Sequence, residues 1–230
     1  MATDDNGQVE GLLEQVQRKK AERAGIAPPR ARGGGLLAQV QRKIRDRLGF
    51  PSLEPMAQPT AAGAGRPSSK AFWAAYLNYD AIPPAKNAEV WKKVGGWVGR
   101  KYGDPPQNSC ATRVSYGLNY GGAPIPSTAP GALLNDRRVV FAGRKGDDKY
   151  YIVNVGNLNA HFSRAWGPPD HRQVATVAEL ETIIGALAEG QCAIFATSKS
   201  PGHSGVLKKG YDDPYVKAEL PLDLWKLPVP

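Results

Sequence analysis

The chain has 230 residues, 41% of them hydrophobic, and carries a net charge of +9, which is enough apolar content for one buried core and points to one domain plus an extension. Two cysteines, Cys110 and Cys192, exclude a disulfide-rich scaffold and a four-cysteine zinc site; with His161, His171 and His203 the only histidines, no Cys/His metal spacing is present, so neither metal nor cofactor is expected. The positive balance favours an anionic partner such as nucleic acid, a membrane surface or a bacterial envelope, but no basic stripe interleaved with aromatics, RNA-binding signature or zinc finger is present, which argues against nucleic acid.

Met1 to Gly7 is acidic and leads into no apolar run of signal-peptide length, so neither a Sec signal nor a transmembrane helix is expected. Residues 11–25, Gly-Leu-Leu-Glu-Gln-Val-Gln-Arg-Lys-Lys-Ala-Glu-Arg-Ala-Gly, recur as residues 35–49 at an offset of 24, with ten of fifteen positions identical. Each copy reads as a short basic amphipathic helix, with Leu12, Leu13 and Val16 on one apolar face and Leu36, Leu37, Val40 and Ile44 on the other. Such helices are near or below the ~12–15 residues at which an isolated helix becomes marginal. The Pro-, Arg- and Gly-rich stretch 26–34 and the Pro-, Ala-, Gly- and Ser-rich stretch 51–70 read as linkers. Residues 1–69 are therefore expected to be a flexible N-terminal extension carrying two docking or membrane-surface peptides, or a solvated tail, and residues 70–230 the folded domain.

In the folded part, Phe72, Trp73, Tyr76 and Leu77 predict a first helix closed before Pro83. A second helix, capped by Asn87, carries Val90, Trp91, Val94, Trp97 and Val98, and its Gly95, Gly96 and Gly99 are expected to receive a neighbouring helix. The third runs from Cys110 to Gly121, capped by Asn108 or Ser109, with Ala111, Val114 and Leu118 as its apolar stripe. Arg138–Ala142 and Tyr150–Val155 read as β-prone runs, paired as a hairpin or lying side by side, about the turn residues 143–148. A helix over residues 158–166 stops before Gly167-Pro168-Pro169. Thr176-Val-Ala-Glu179 is a capping box opening a helix that signals its end at Gly190. Cys192–Thr197 reads as a buried strand, and residues 203–208 and 211–217 as a closing hairpin about Lys209-Gly210. Helices first and strands later is the order of an α+β domain with a helical layer on an antiparallel sheet.

Cys110 falls in the first turn of its helix, where unpaired N–H groups and the helix dipole favour thiolate over thiol. From this segment alone, a nucleophile and a small buried thiol are equally good readings. A thiol nucleophile needs a base. His161 lies among Leu158, Phe162 and Trp166 on a helix and reads as packed; His171 sits in a loop with no evident partner. Small residues flank His203 in Pro201-Gly-His-Ser-Gly205, leaving its ring room to approach another side chain, and it opens a strand able to lie beside the Cys110 helix, so His203 is the base candidate.

Several motifs together then resemble a known family: Val94-Gly-Gly-Trp-Val-Gly99; Gln107-Asn-Ser-Cys-Ala-Thr-Arg-Val-Ser-Tyr-Gly-Leu-Asn119; Lys149-Tyr-Tyr-Ile-Val-Asn154 leading to Trp166-Gly-Pro-Pro-Asp170; Gly202-His203; and Leu224-Trp-Lys-Leu-Pro228. From Phe72 to Pro228 the chain resembles the type VI secretion amidase effectors, which are papain-like, NlpC-type cysteine amidases of peptidoglycan. The resemblance implies Cys110 as nucleophile, His203 as general base and an acidic residue on the return strand after the histidine. Family members often carry Gly-His-Val-x-Leu-Trp-x-Gly, whereas this chain has Gly-His-Ser-Gly-Val-Leu-Lys-Lys-Gly, one residue longer and without tryptophan. A hairpin turning near residues 208–210 sets residues 213–216 opposite His203, making Asp213 the first candidate and Asp212 the alternative. The resemblance further implies cleavage between D-glutamate and diaminopimelate in the stem peptide, synthesis in the cytoplasm and secretion into a target bacterium's periplasm, and a cognate immunity protein. A secretion-system component would be the partner of the repeats. Two other readings are a cysteine peptidase acting on a different γ-glutamyl or peptide bond, and a non-catalytic cationic wall-binding or adaptor protein.

Overall fold

The computed structural model describes residues 65–197 and 202–229; the duplicated peptides and most of the expected extension lie outside them. The chain enters through Arg66, whose guanidinium pairs with Asp170 at 2.5 Å, donates to the carbonyl of Lys226 and lies over the Trp166 ring. Ser68 caps α1 (Ser69–Ala75) by accepting from the Ala71 amide, and the Ser69 hydroxyl accepts from the Cys192 N–H. Arg66 and Ser68 thus bond into the domain although both precede the expected boundary at residue 69. Tyr76 and Leu77 are buried beyond the helix end rather than within it, because the backbone turns extended at Tyr76.

The expected second helix is two: α2 (Asn87–Val94) and α3 (Gly96–Gly103), broken at Gly95, which has φ 62° and ψ −161°. A side chain is strained at that positive φ. Asn135 holds the break together: its carbonyl oxygen accepts from the Val98 amide and its amide donates to the Val94 carbonyl, so one buried carboxamide serves the end of α2 and the start of α3. Gly95 and Gly96 do not receive a helix: Arg144 and Gly146 crowd them, so their partner is the short hairpin β2 (Val140–Phe141) and β3 (Arg144–Lys145) with the residue after it, whereas Gly99 meets the Trp91 carbonyl of α2 and then the Phe141 ring. That hairpin also corrects the expected pairing of residues 138–142 with 150–155. The turn at Ala142-Gly143 closes β2 onto β3, and β4 (Tyr150–Tyr151) pairs instead with β1 (Leu133–Leu134).

Helix α4 (Cys110–Tyr120) is buried along its whole length except at Tyr120. A helix buried all round must satisfy its polar side chains internally. Ser115 exchanges hydrogen bonds with both backbone groups of Ile152, and Asn119 bridges the Tyr150 carbonyl and the Ile125 amide. Helix α5 (Val155–Trp166) is capped by Asn154 and starts three residues earlier than expected. Thr176 accepts from the Glu179 amide to open α6 (Val177–Ala186), while the Glu179 carboxylate takes the Ala175 amide rather than that of Thr176. This helix stops at Ala186, short of Gly190.

The main sheet is antiparallel in the order β5 (His171–Val174), β8 (Leu222–Lys226), β6 (Cys192–Thr197), β7 (Ser204–Lys208). Alternation along β6 sends Ile194 and Ala196 to the core shared with α1, α4 and α5, and Ala193 and Phe195 to the core under α6. Both faces are therefore covered, which is why all six residues of β6 are buried. The expected closing hairpin is absent. After β7 the chain turns at Gly210, Tyr211 makes a single bridge to Lys208, residues 212–215 run irregularly into a 3-10 turn at Val216–Glu219, and the returning strand is β8, which pairs with β6. The architecture is α+β.

Candidate active site

The backbone brings α4 and β7 side by side, and this sets Cys110 beside His203. Three anchors locate Cys110. The Gln107 carbonyl accepts from Trp91 Nε1 at 2.9 Å and from the Asn87 amide; the Ser109 hydroxyl donates to Asn87 Oδ1; and Arg113 Nε, one turn further on, donates to the Ser109 hydroxyl at 3.1 Å. Asn87 therefore pins the loop before Cys110 instead of capping α2. Arg113 is fully buried, reaches the Leu77 carbonyl at 2.7 Å, and lies 4.1 Å from the Tyr79 ring centroid. It ties the 77–79 segment to the helix that carries the thiol.

His203 is fixed through its backbone, which exchanges bonds with Thr197: its amide donates to the Thr197 hydroxyl and its carbonyl accepts from the Thr197 amide, both at 3.0 Å. The imidazole packs between Phe195, Tyr79 and Tyr215, with centroids 5.4, 6.2 and 5.2 Å away. Its Nε2 lies 2.9 Å from Asp213 Oδ1, and the same oxygen accepts from the Tyr215 amide at 3.0 Å. With Nε2 taken by Asp213, Nδ1 is the nitrogen left for Cys110, the next group after Asp213 to raise the imidazole. Asp213 is 3% exposed, and Gly205 makes room for it: a Cβ there would overlap Asp213 Oδ2 and the Phe195 ring. Asp212 is exposed, with its neighbour facing inward. Asp213 reaches the histidine from an irregular loop, not from the strand assumed in the register argument.

Electrostatically the pair favours charge separation. Burial pushes the Cys110 thiol up, yet its interaction with His203, and after that with Ser204, brings it below its ordinary value. The Ser204 hydroxyl is buried and makes no hydrogen bond among the described residues. Burial pushes His203 down, and the Asp213 hydrogen bond followed by the Cys110 interaction reverses this and raises it to about 9. A thiolate–imidazolium pair thus has a pH window running from below the usual thiol range up to about 9. Activity depending on it should fall on the alkaline side with a midpoint near 9, as His203 loses its proton, and on the acid side as the thiolate is protonated. A kcat/KM profile checks this, and a flat profile through pH 9 contradicts it. The accompanying stability follows the same sign: His203 is raised, so its contribution is full below about 6.5, its unfolded value, and is lost as pH rises through about 9.

The other titratable candidates stand elsewhere. His161 packs against Phe162 on α5, and burial, then Arg164, lowers it to about 4. His171 opens β5 at the far edge of the sheet, away from β7. Cys192 is fully buried and burial raises it to about 11. Cys192→Ser should therefore retain full activity, and iodoacetamide should label Cys110 first; preferential labelling of Cys192 overturns both placements.

Beside the triad lies a cavity of about 340 Å³ lined by Tyr79, Pro84, Asn87, Asn108, Gly202, His203, Tyr215 and Glu219. Tyr79, Arg113, Ser204 and Tyr215 escape detection in the sequence as site residues: Tyr79 and Tyr215 because irregular segments carry them to the imidazole, Arg113 and Ser204 because their roles depend on α4 and β7 packing together. Only Arg113 leaves a trace, as a cation on an otherwise buried helix.

No family model and no curated protein matches the chain. Among solved structures, the Tae4–Tai4 type VI effector–immunity complex from Enterobacter cloacae aligns with a TM-score of 0.50 at 22% identity, over 70% of this chain and 99% of that one. The chain has the fold of that effector. Two further alignments are with Tae4 from Salmonella typhimurium, in complex with Tai4 from Enterobacter cloacae (TM-score 0.49, 22% identity, 71% of this chain and 100% of that one) and in a type VI effector–immunity complex (0.48, 24%, 71% and 98%).

Proposed function

We propose that this protein is an antibacterial type VI effector, a papain-like cysteine amidase that hydrolyses the bond between D-glutamate and diaminopimelate in peptidoglycan stem peptides. The observation that carries the reading is the meeting of Cys110, His203 and Asp213 beside a cavity, on a fold shared with a type VI effector. The Cys110 thiolate attacks the D-glutamyl side-chain carbonyl. The bond to the diaminopimelate nitrogen then breaks as His203 gives that nitrogen its proton, leaving a thioester. Water, deprotonated by His203, attacks the thioester and releases the glutamyl carboxylate and the thiol group. Asp213 keeps the imidazole turned toward the sulfur and stabilises its charge. Tyr79 and Tyr215 present an apolar wall to the substrate.

In this reading residues 1–69 deliver or dock the enzyme through the repeats at 11–25 and 35–49, the action takes place in the periplasm of a target cell, and a cognate immunity protein covers the cavity. The test is incubation of purified disaccharide–tetrapeptide with wild type and with Cys110→Ala, with product masses read out. Appearance of a fragment ending at D-glutamate, and its absence with Cys110→Ala, supports the proposal. Masses from cleavage at any other amide remove the bond assignment, and no cleavage at all removes the amidase reading.

A further inference from the structure

We infer that Asn108 is a catalytic residue of this site: its side-chain amide supplies an oxyanion donor, and in the free enzyme its carbonyl oxygen occupies the other. The inference rests on the thiol-amidase reading and concerns how the tetrahedral intermediate is held.

The Cys110 N–H, at the first residue of α4, has no intrahelical acceptor. It donates instead to Asn108 Oδ1 at 3.2 Å. Because the donor there is an N–H, the atom facing it must be the carboxamide oxygen, and Asn108 Nδ2 is left pointing elsewhere. Among the described residues Nδ2 has no partner, and Asn108 is exposed and lines the cavity next to His203. Cys110 itself is 3% exposed and forms no part of the lining. The side chain that closes the Cys110 amide is therefore one that the cavity reaches, while Cys110 itself is not.

When the Sγ–C bond forms, the carbonyl π electrons move onto oxygen, and that oxygen needs donors within about 2.7–3.1 Å. The Cys110 N–H, adjacent to the sulfur on the same residue, is the nearest backbone donor, and Asn108 Oδ1 must leave it first. Rotation of the Asn108 side chain withdraws the oxygen, opens the approach to the sulfur and turns Nδ2 toward the same oxyanion. One movement frees one donor and adds a second. Asn87, the neighbouring amide in the cavity, cannot do this, because both ends of its carboxamide are held by Gln107 and Ser109.

Asn108→Asp and Asn108→Ala test the inference against a purely structural cap. Aspartate accepts from the Cys110 amide as well as asparagine does but offers no donor; alanine offers neither. The inference expects both variants to lose about 10²–10³-fold in kcat on disaccharide–tetrapeptide, measured on the pH plateau of each variant, with KM little changed. It also expects iodoacetamide to alkylate Cys110 in Asn108→Ala at no less than the wild-type plateau rate, since displacement of iodide builds no oxyanion on a carbonyl and the shortened side chain leaves the approach to the sulfur more open. If Asn108→Asp keeps the wild-type kcat, Asn108 is only a cap and the inference is overturned. If alkylation falls in parallel with kcat, Asn108 acts on the thiolate and the inference is equally overturned. Inactive wild type, by contrast, would remove the amidase reading and the inference with it.

Discussion

On the amidase reading, Cys110→Ala and His203→Ala should each lower stem-peptide hydrolysis by about 10⁴-fold or more, and the double variant should lose little beyond either single one, because nucleophile and base would act as a unit. Initial rates by product mass, with circular dichroism to verify the fold, measure the effect. The size of the loss follows from the geometry. Without His203 the thiol loses the interaction that brings it below its ordinary value, while the burial that pushes it up remains. The leaving nitrogen also loses its proton source. A His203→Ala enzyme that kept most of its rate would take His203 out of the chemistry.

Asp213→Asn costs about 10²–10⁴-fold in kcat, and Asp212→Asn leaves the rate unchanged. Asparagine at 213 can present an N–H to Nε2, which favours the tautomer carrying its proton on the nitrogen that faces Cys110. It also withdraws the hydrogen bond and charge that raise His203 to about 9, so the alkaline limb of the surviving activity should move to lower pH. Titrating the rate of each variant between pH 5 and 10 separates the two aspartates; a damaging Asp212→Asn would place the acid one residue too late in the scheme above.

Helices and strands with a strong period were legible from the residues alone. Ala111, Val114 and Leu118 announced α4, and the unbroken apolar run at residues 192–197 announced the central strand, since both patterns depend on neighbours in the chain. The segments that misled are those whose form is decided elsewhere. Gly95 breaks a continuous apolar stripe because the β2–β3 hairpin needs the space. Residues 211–217 alternate well enough for a strand but sit at the sheet edge beyond β7, where a loop carrying Asp213 over the imidazole forms instead. The aspartate was therefore reachable from its distance along the chain, and its loop setting was not. Cys110 and His203 were each visible locally, but their approach depends on β7 lying against α4, which only the tertiary packing decides. Of the two cap candidates, Asn108 and Ser109, Ser109 takes the cap position without a side-chain cap bond, and Asn108 instead accepts from the Cys110 amide while facing the cavity, a placement that depends on how the preceding loop folds.

The depth of Cys110 has a redox consequence. Oxidation to sulfenic acid and exchange with a disulfide both need a thiolate that an oxidant can reach in line with the sulfur. At 3% exposure Cys110 offers little of that access, and Cys192, fully buried on β6, is unpaired with it. A lowered thiol that was also open to solvent would be a short-lived reagent in an oxidising compartment. On the amidase reading a lowered thiol and concealment are combined, so the sulfur should react with a substrate bound in the cavity and only slowly with a glutathione-sized disulfide. Such a nucleophile would outlast an open thiolate among oxidants, with Cys192 unpaired with it and fully buried on β6.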